Sequence, residues 1–342
     1  MKPLPAGVLG GTRPRDFLRR YWQKRPLFVP GALPGFAGVL DRRALAALAA
    51  RDDVESRIVE RRGNRWDTTH GPFRRIRFKR RDFTLLVSGV NLHSEAADAL
   101  LRRFSFVPQA RLDDVMVSYA LPGGGVGPHV DSYDVFLLQG PGRRRWRVLD
   151  KQYVCGAGDL LYLPPGVEHD GVALDECFTY SVGFRAPRGA ELGAAFLDWL
   201  HERGLPEADY ADPGLTPSAR PGRIPRELIS FAEKLLRRIR WSRADVERFL
   251  GEYLSEPKPH VVFEPGRGAG PVVRLHPKTR LLYRGSRFFI NGESLSLRGA
   301  AAAALRELAD RRTAHGARLA RARLGGLISA WQRLGYVTRE KA

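Results

Sequence analysis

The chain contains only two cysteines, Cys155 and Cys177, in 342 residues. Two cysteines are too few for a disulfide scaffold or a zinc ribbon, and they are typical of a reducing compartment, so we predict a cytoplasmic protein. The sequence also lacks any apolar run of about 18 residues, which argues against a membrane-spanning helix. Proline and glycine interrupt residues 1–7, where a signal peptide would need an apolar core, so we predict no signal peptide.

Lysine is scarce as well, since only eight of the 57 basic residues are lysines. Against 37 acidic residues the basic residues give a formal net charge of +20. Such a charge favours contact with nucleic acid, because a basic surface releases counterions from a phosphate backbone. The arginines are spread along the chain, however, which is also typical of a compositional bias. The net charge alone therefore leaves open whether it serves a partner.

Two common motifs of enzymes are missing. No Gly-x-x-x-x-Gly-Lys-Ser/Thr phosphate loop and no Gly-x-Ser-x-Gly nucleophile elbow occurs in the sequence, which disfavours a P-loop protein and an α/β-hydrolase. The chain does have a hydrophobic fraction of 43%, enough apolar surface to offset the entropy lost on folding. We therefore predict a folded protein of two or three domains.

The spacing of apolar residues divides the chain into three parts. Short apolar segments between residues 113 and 184, separated by Gly and Pro, predict the strands of an antiparallel barrel or a double-sheet jelly roll. Upstream of them, Thr12 and Asp41 precede helical patterns and are candidate N-caps. Helices are then predicted over 190–203 and 225–254. We predict an α+β protein with a jelly-roll domain at 1–205, a helical region at 206–257 and a small C-terminal domain at 258–342.

The densest group of potential metal ligands follows a glycine-rich run, Gly123–Gly127. His129 and Asp131 lie two residues apart, so on a strand both side chains point to the same face and can share one metal ion. A His-x-Asp pair alone occurs by chance in a chain of this length, but a buried strand and a Pro-Pro-Gly turn lead to His169. Two histidines and one carboxylate are the facial triad of non-haem Fe(II) oxygenases. We therefore predict that these three residues bind Fe(II).

An oxygenase of this kind needs an electron source, usually a 2-oxo acid whose distal carboxylate is held by a cation. In the segment 143–148, strand alternation puts Arg144 on the inward face with Trp146, and leaves the other arginines outside. A buried guanidinium needs an anion, because an unpaired buried charge is costly. That anion is either a co-substrate carboxylate, which the planar fork suits, or a protein carboxylate. Ser118 is a second candidate donor, although it can equally be a small residue that fills the barrel.

These residues lie in segments that resemble the bacterial ribosomal oxygenases of the JmjC/cupin superfamily. The matching segments are DFLRRYWQKRPLFVPGA (16–32), PGGGVGPHVDSYDVFLLQGPGRRRWRV (122–148), GDLLYLPPGVEH (158–169) and YSVGFRAP (180–187). The resemblance covers residues 12–205, and beyond them only the order of elements agrees. One departure is the connection between Val148 and Gly158, which is shorter than the long insertion that the resemblance leads us to expect.

The resemblance implies a double-stranded β-helix followed by a helical dimerisation region and a winged-helix-like C-terminal domain, and so a homodimer. It implies Fe(II) on His129, Asp131 and His169. It also implies 2-oxoglutarate on Ser118 and Arg144, with O2 as the other co-substrate.

The implied reaction is hydroxylation of an arginine side chain, at C3, in ribosomal protein L16. Tyr133, Asp134 and Asp170 neighbour the predicted metal ligands in the sequence, so they are candidates to hold the substrate guanidinium. The net charge of +20 then fits a surface that works near ribosomal RNA without a specific nucleic-acid site.

Other functions use parts of the same pattern. A cupin-type small-molecule dioxygenase or isomerase would keep the metal ligands without 2-oxoglutarate, and a related hydroxylase would act on a different protein residue. A non-enzymatic sensor or nucleic-acid-binding protein would keep only the scaffold. An inward Arg144 disfavours the small-molecule enzyme, which has no distal carboxylate to bind. The intact triad disfavours the third class, as does the lack of aromatic residues interleaved with the arginines at 311–323.

Overall fold

The computed structural model describes residues 7–341. The prediction about a signal peptide therefore falls, except for Gly7, outside the described residues. The strands of the N-terminal part are, in chain order, β1 (Leu27–Val29), β2 (Ser56–Arg62), β3 (Arg65–His70), β4 (Phe83–Val87), β5 (Leu112–Ala120), β6 (His129–Val130), β7 (Val135–Gln139), β8 (Arg144–Val148), β9 (Lys151–Cys155), β10 (Leu160–Leu163), β11 (Glu168–Ala173) and β12 (Cys177–Phe184).

Four helices accompany these strands: α1 (Pro14–Arg20), α2 (Arg42–Ala49), α3 (Glu95–Arg102) and α4 (Gly189–His201). The predicted cap of α2 is confirmed, because the Asp41 side chain accepts a hydrogen bond from the Ala44 N–H. The predicted cap of α1 is wrong. Its N-cap residue is Arg13, which makes no capping bond, since Pro14 sets the first turn and needs no partner for an absent N–H.

The strands form two antiparallel sheets. The larger sheet has the order β1-β10-β7-β12-β5-β4-β2-β3, and the smaller has the order β6-β11-β8-β9. Strands that are neighbours in space come from distant parts of the chain, as in a jelly roll. The short connection after Val148 holds β9, which pairs with β8.

The central strands of the large sheet are covered on both faces, whereas β3 at its edge is mostly exposed. Helices α1 to α3 pack on the outer face of the sheet around Phe17, Leu45 and Leu100. The inner face meets the small sheet through a second apolar cluster, in which Leu137 and Leu161 of the large sheet pack with Trp146 and Val148 of the small one. Strands β7 and β12 consequently have no exposed residue, whereas β8 alternates between buried and exposed positions. The two free cysteines are both buried.

The C-terminal part begins with two helices, α5 (Arg226–Leu236) and α6 (Arg243–Ser255). The single helix predicted over 225–254 is therefore wrong: Ser242 starts a new helix through a capping box with Asp245. The remaining elements are β13 (Val272–Leu275), β14 (Leu281–Arg284), β15 (Arg287–Ile290), β16 (Glu293–Ser296), α7 (Gly299–Arg311), β17 (Thr313–His315), α8 (Gly316–Arg321), α9 (Gly325–Arg333) and β18 (Val337–Glu340). No helix between residues 7 and 341 has the length and apolar character to cross a bilayer.

The C-terminal part is attached to the start of β5. The Arg280 guanidinium, which is largely buried, donates to the carbonyl oxygens of Leu112 and Asp113 at 3.1 and 3.0 Å. Lys258, in the connection after α6, reaches the Asp113 and Asp114 carboxylates at 3.5 and 3.4 Å. These bonds hold the C-terminal part against the strand that also carries Ser118.

Candidate metal centre

A glycine-rich loop brings the chain from β5 to β6. Trp66 of β3 packs directly on this loop, and a Cβ at Gly127 would lie 2.6 Å from its Nε1 atom. Gly127 also has φ +83°, a conformation that costs little only for glycine. The glycine at position 127 thus has a packing reason: only a residue without a side chain lets Trp66 approach the loop that leads to His129.

His129, Asp131 and His169 converge in space as predicted. Strand β6 pairs with β11 so that His129 lies opposite His169, and their ring centroids are 4.2 Å apart. The Asp131 carboxylate follows β6 and lies 3.7 Å from His169 Nε2. One nitrogen or oxygen of each residue lies within 4.8 Å of those of the other two, a spacing that one metal ion can bridge.

Backbone hydrogen bonds orient both imidazoles. His129 Nδ1 lies 2.9 Å from the Gly127 carbonyl oxygen, and His169 Nδ1 lies 3.0 Å from that of Val167. In neutral histidine the nitrogen that donates to a carbonyl fixes the tautomer, so each Nε2 keeps its lone pair for a ligand bond. Burial lowers the pKa of His169, which favours this neutral form.

Arg144 lies inside the jelly roll, as strand parity predicts. It is 4% exposed, and its Nε and Nη2 atoms have no hydrogen-bond partner among the described residues. Arg145 and Arg147 on the same strand are exposed. A buried guanidinium with unpaired donors is costly unless an anion binds it. Ser118 is buried as well and lines the same cavity.

The cavity that contains these groups has a volume of about 660 Å³. Its wall also includes Tyr133 and Asp114, which lie on either side of Gly183. A Cβ at Gly183 would be 3.7 Å from Asp114 Oδ1 and 4.0 Å from Tyr133 Cε2. Burial, with the Asp131 and Asp114 charges, raises the pKa of Tyr133 to about 12, so its hydroxyl is protonated at neutral pH. A carboxylate and an aromatic ring thus flank one side of the cavity.

Two of the three candidates for the substrate guanidinium are misplaced. Asp134 is fully buried away from the cavity, where it accepts hydrogen bonds from Tyr162 and Gln23. Asp170 does not line the cavity, because successive residues of a strand face opposite sides and His169 points inward. Tyr133 lines the cavity as expected, and its acidic neighbours there are Asp131 and Asp114.

Asp114 and Lys258 line the cavity but were not predicted as site residues, and the same holds for Glu55, Arg57 and His70. Asp114 Oδ2 accepts from the Gly89 N–H at 2.9 Å and lies 3.4 Å from Lys258 Nζ. The only signal in the sequence is the acidic pair 113–114 at the start of a strand that also carries Ser118. For Lys258 no local signal exists, since its contact spans 144 positions.

The fold and these residues define a class: jelly-roll proteins in which two histidines and one carboxylate are placed so that they could hold a metal ion. Models of two known families match the chain, a JmjC domain at 99–155 and 149–192 and a ROXA-like winged helix at 238–338. The chain is 35% identical over 317 residues to the ribosomal protein uL16 3-hydroxylase of Escherichia coli strain K12, with 82% of this chain and 84% of that protein covered. It is 36% identical over 206 residues to a probable ribosomal oxygenase of Haemophilus influenzae, with 52% and 51% covered.

Solved structures agree with this relationship. The E. coli ribosomal oxygenase YcfD in complex with cobalt and 2-oxoglutarate matches with a TM-score of 0.81 and 34% identity, over 96% of this chain and 98% of that chain. The chain therefore belongs to the JmjC-domain ribosomal oxygenases. The predicted family is confirmed, and so is the predicted double-stranded β-helix with a winged-helix C-terminal domain.

Proposed function

We propose that this protein is an Fe(II)- and 2-oxoglutarate-dependent hydroxylase of an arginine side chain in ribosomal protein uL16, the protein called L16 above. The observation that carries the proposal is the buried, unpartnered guanidinium of Arg144 in the same cavity as the three metal-ligand candidates. In a small-molecule enzyme without a dicarboxylate co-substrate, this buried guanidinium would have no anionic ligand. The 35% identity to the uL16 3-hydroxylase supports the substrate, and the cobalt and 2-oxoglutarate complex of YcfD supports the cofactors.

The donor set fits a non-haem iron centre. His129, Asp131 and His169 offer two imidazole nitrogens and one carboxylate oxygen, a ligand set that would hold Fe(II) and leave it accessible to co-substrates. When bound, iron and 2-oxoglutarate supply the oxidation that inserts one atom of O2 into a C–H bond and yields succinate and CO2. The carbonyls of Gly127 and Val167 hold the two imidazoles in the tautomer that binds metal.

The other cavity residues bind and orient. In our proposal Arg144 binds the distal carboxylate of 2-oxoglutarate, and Ser118 donates a hydrogen bond to the same group. Asp114 and Tyr133 face the substrate: a carboxylate pairs with a guanidinium, and an aromatic ring stacks on its planar face. The apolar cluster around Trp146 excludes water from the co-substrate side.

The direct test is incubation of the protein with Fe(II), 2-oxoglutarate and a total ribosomal protein mixture. We expect intact-mass spectrometry to find the added mass of one oxygen atom on uL16 only, and fragmentation to place it on an arginine. Modification of a different ribosomal protein would overturn the uL16 assignment. The absence of both modification and succinate would overturn the oxygenase function, provided that the bound metal is verified.

The proposal includes a division into a jelly-roll domain at 1–205, a helical dimerisation region at 206–257 and a C-terminal domain at 258–342. It also places the protein in the cytoplasm, where ribosomal proteins are made. Helix α5 supports the dimer, because none of its residues is buried although one face carries Leu228, Ile229 and Leu236. These residues recur at helical spacing and form a stripe that a second copy of the helix can cover.

We therefore expect the double variant Leu228→Asp/Leu236→Asp to be monomeric in analytical ultracentrifugation, because charges in the stripe oppose its burial. Glu233→Lys/Lys234→Glu alters exposed polar residues of the same helix and keeps its net charge, so it should leave the dimer intact. A wild-type protein that sediments as a monomer, or an Asp variant that stays dimeric, would contradict the proposed interface.

A further inference from the structure

One segment of the chain concentrates positive charge. Residues 57–81 contain ten basic residues and two acidic ones, so 25 residues supply +8 of the net charge of +20. At the frequency of the whole chain, where 57 of 342 residues are basic, about four basic residues would be expected in such a segment. A general bias towards arginine therefore does not account for it. Nine of the ten are exposed, and we call them the basic edge: Arg61, Arg62, Arg65, Arg74, Arg75, Arg77, Lys79, Arg80 and Arg81.

The basic edge is held by the core. It follows β2 and β3, the last two strands of the large sheet, and continues through residues 71–81. In that stretch Phe73, Ile76 and Phe78 pack against the main apolar core, so the intervening basic side chains face outward. The Arg42 guanidinium lies over the Phe78 ring at 5.3 Å. The backbone that carries these charges is therefore anchored to the core through Phe73, Ile76 and Phe78.

Few of these charges are neutralised within the protein. Glu60 pairs with Arg62 and Lys79, Asp67 pairs with Arg62, and Asp82 pairs with Arg81. The other members of the basic edge form no salt bridge with any residue between 7 and 341; they are Arg61, Arg65, Arg74, Arg75, Arg77 and Arg80. Like charges at this density repel each other, so the surface lacks a counter-charge that a polyanion would provide.

Two simpler explanations do not fit. Charged residues protect an edge strand from pairing with other chains, but six of the nine basic residues lie at 74–81, beyond the end of β3 at His70. A membrane surface would favour apolar residues beside the cations, yet no large hydrophobic residue of 57–81 is among the exposed ones. The surface instead fits a phosphate backbone, which needs cations and no insertion.

The same elements reach the candidate metal centre. Val59 of β2, with Thr68 and His70 of β3, lines the cavity that contains the metal-ligand candidates. The strands that carry Arg61, Arg62 and Arg65 therefore also supply part of the wall of that cavity. The aromatic residues of the segment are turned inward or half-buried against the glycine loop, so base stacking is not available to give sequence preference.

We propose that the basic edge binds RNA through its phosphate backbone, independently of base sequence. Phosphate binding follows from the charge and its exposure alone, whereas the choice of RNA rests on the proposed function, because a ribosomal protein is surrounded by ribosomal RNA. The basic edge would then retain the enzyme near its substrate, without taking part in the oxidation.

The test compares the wild-type protein with Arg74→Gln/Arg75→Gln/Arg77→Gln/Arg80→Gln in fluorescence anisotropy with a labelled RNA duplex. The matched control, Arg220→Gln/Arg223→Gln/Arg238→Gln/Arg240→Gln, removes the same charge from exposed positions outside the basic edge. We expect the first variant to bind RNA at least about 10-fold more weakly at about 0.1 M salt, and the slope of log K against log salt to fall by about 3. The control should change the affinity by less than about 2-fold.

Three outcomes would overturn the proposal. The first is that the wild-type protein does not bind RNA, and the second is that both variants lose RNA affinity equally. The third is that the protein binds phosphatidylserine vesicles as tightly as RNA, with the same dependence on the four arginines. Unchanged thermal unfolding of the variants would show that they fold. Because the assay contains no iron, 2-oxoglutarate or protein substrate, its result is independent of whether the proposed hydroxylation is found.

Discussion

Alanine in place of His129 is expected to reduce hydroxylation by more than about 100-fold and to weaken binding of Co²⁺ to a similar degree. Changes to residues that only support a metal ligand already cost about 10- to 100-fold in affinity or activity, and removal of a ligand has the larger effect. The imidazole is aligned by the Gly127 carbonyl and faces His169 across the β6–β11 pair. Among the described residues, His129, Asp131 and His169 are the only group of three potential ligands that could share a metal ion. No neighbouring side chain is therefore placed to replace the lost nitrogen.

The measurement is Co²⁺ titration of the apo-protein by calorimetry, together with mass spectrometry of the protein substrate. His201→Ala, at the exposed end of α4, is the matched control and should behave like the wild type. The variant should also unfold near the wild-type temperature without metal, since His129 is only partly buried. Wild-type affinity for Co²⁺ in the His129 variant would refute the assignment of this residue as a ligand.

The position of Arg144 was predictable because the small sheet has one covered face and one exposed face. Strand β8 therefore alternates, and its parity alone separates Arg144 from Arg145 and Arg147. The same method is less decisive in the central strands of the large sheet, which are buried on both faces. Strand β7 is buried at every position and begins with four apolar residues in a row, so its sequence does not distinguish the face towards the metal centre from the face towards the helices. In β12, by contrast, Thr179, Ser181 and Gly183 alternate with large apolar residues, and Ser181 and Gly183 line the cavity.

The errors at the substrate side have a different cause. Asp134 was selected because it is near Asp131 in the sequence. In the structure it enters the core just before β7, where it accepts hydrogen bonds from Tyr162 and Gln23 and pairs with Arg111. Asp114 was missed because its neighbours in the cavity are far away in the sequence. It contacts Lys258, and Gly183 lies between it and Tyr133. Sequence proximity indicates ligand spacing along one strand, whereas the opposite wall of a cavity depends on tertiary packing.

Methionine in place of Arg144 is expected to raise the KM for 2-oxoglutarate by about 30-fold or more. Loss of one partner of a buried charge pair costs about 2–5 kcal/mol, and each 1.4 kcal/mol is tenfold in affinity. Arg144→Lys should recover only part of this effect, because lysine keeps the charge but not the planar fork that binds a carboxylate through two hydrogen bonds. Arg145→Met, on the exposed face of the same strand, is the matched control and should keep the wild-type KM.

The stability of the same variants separates a co-substrate site from a structural ion pair. Without 2-oxoglutarate, the guanidinium of Arg144 is buried with unpaired Nε and Nη2 atoms, so an apolar residue of similar length should preserve or raise the unfolding temperature of the apo-protein. Addition of 2-oxoglutarate with Co²⁺ should then stabilise the wild type and the Arg145 variant but not the Arg144→Met protein, because a ligand stabilises only the state that binds it. If Arg144→Met instead lowered the apo-protein's unfolding temperature and left the 2-oxoglutarate-dependent increase unchanged, the arginine would be part of the scaffold, and the co-substrate carboxylate would have to be bound elsewhere in the cavity.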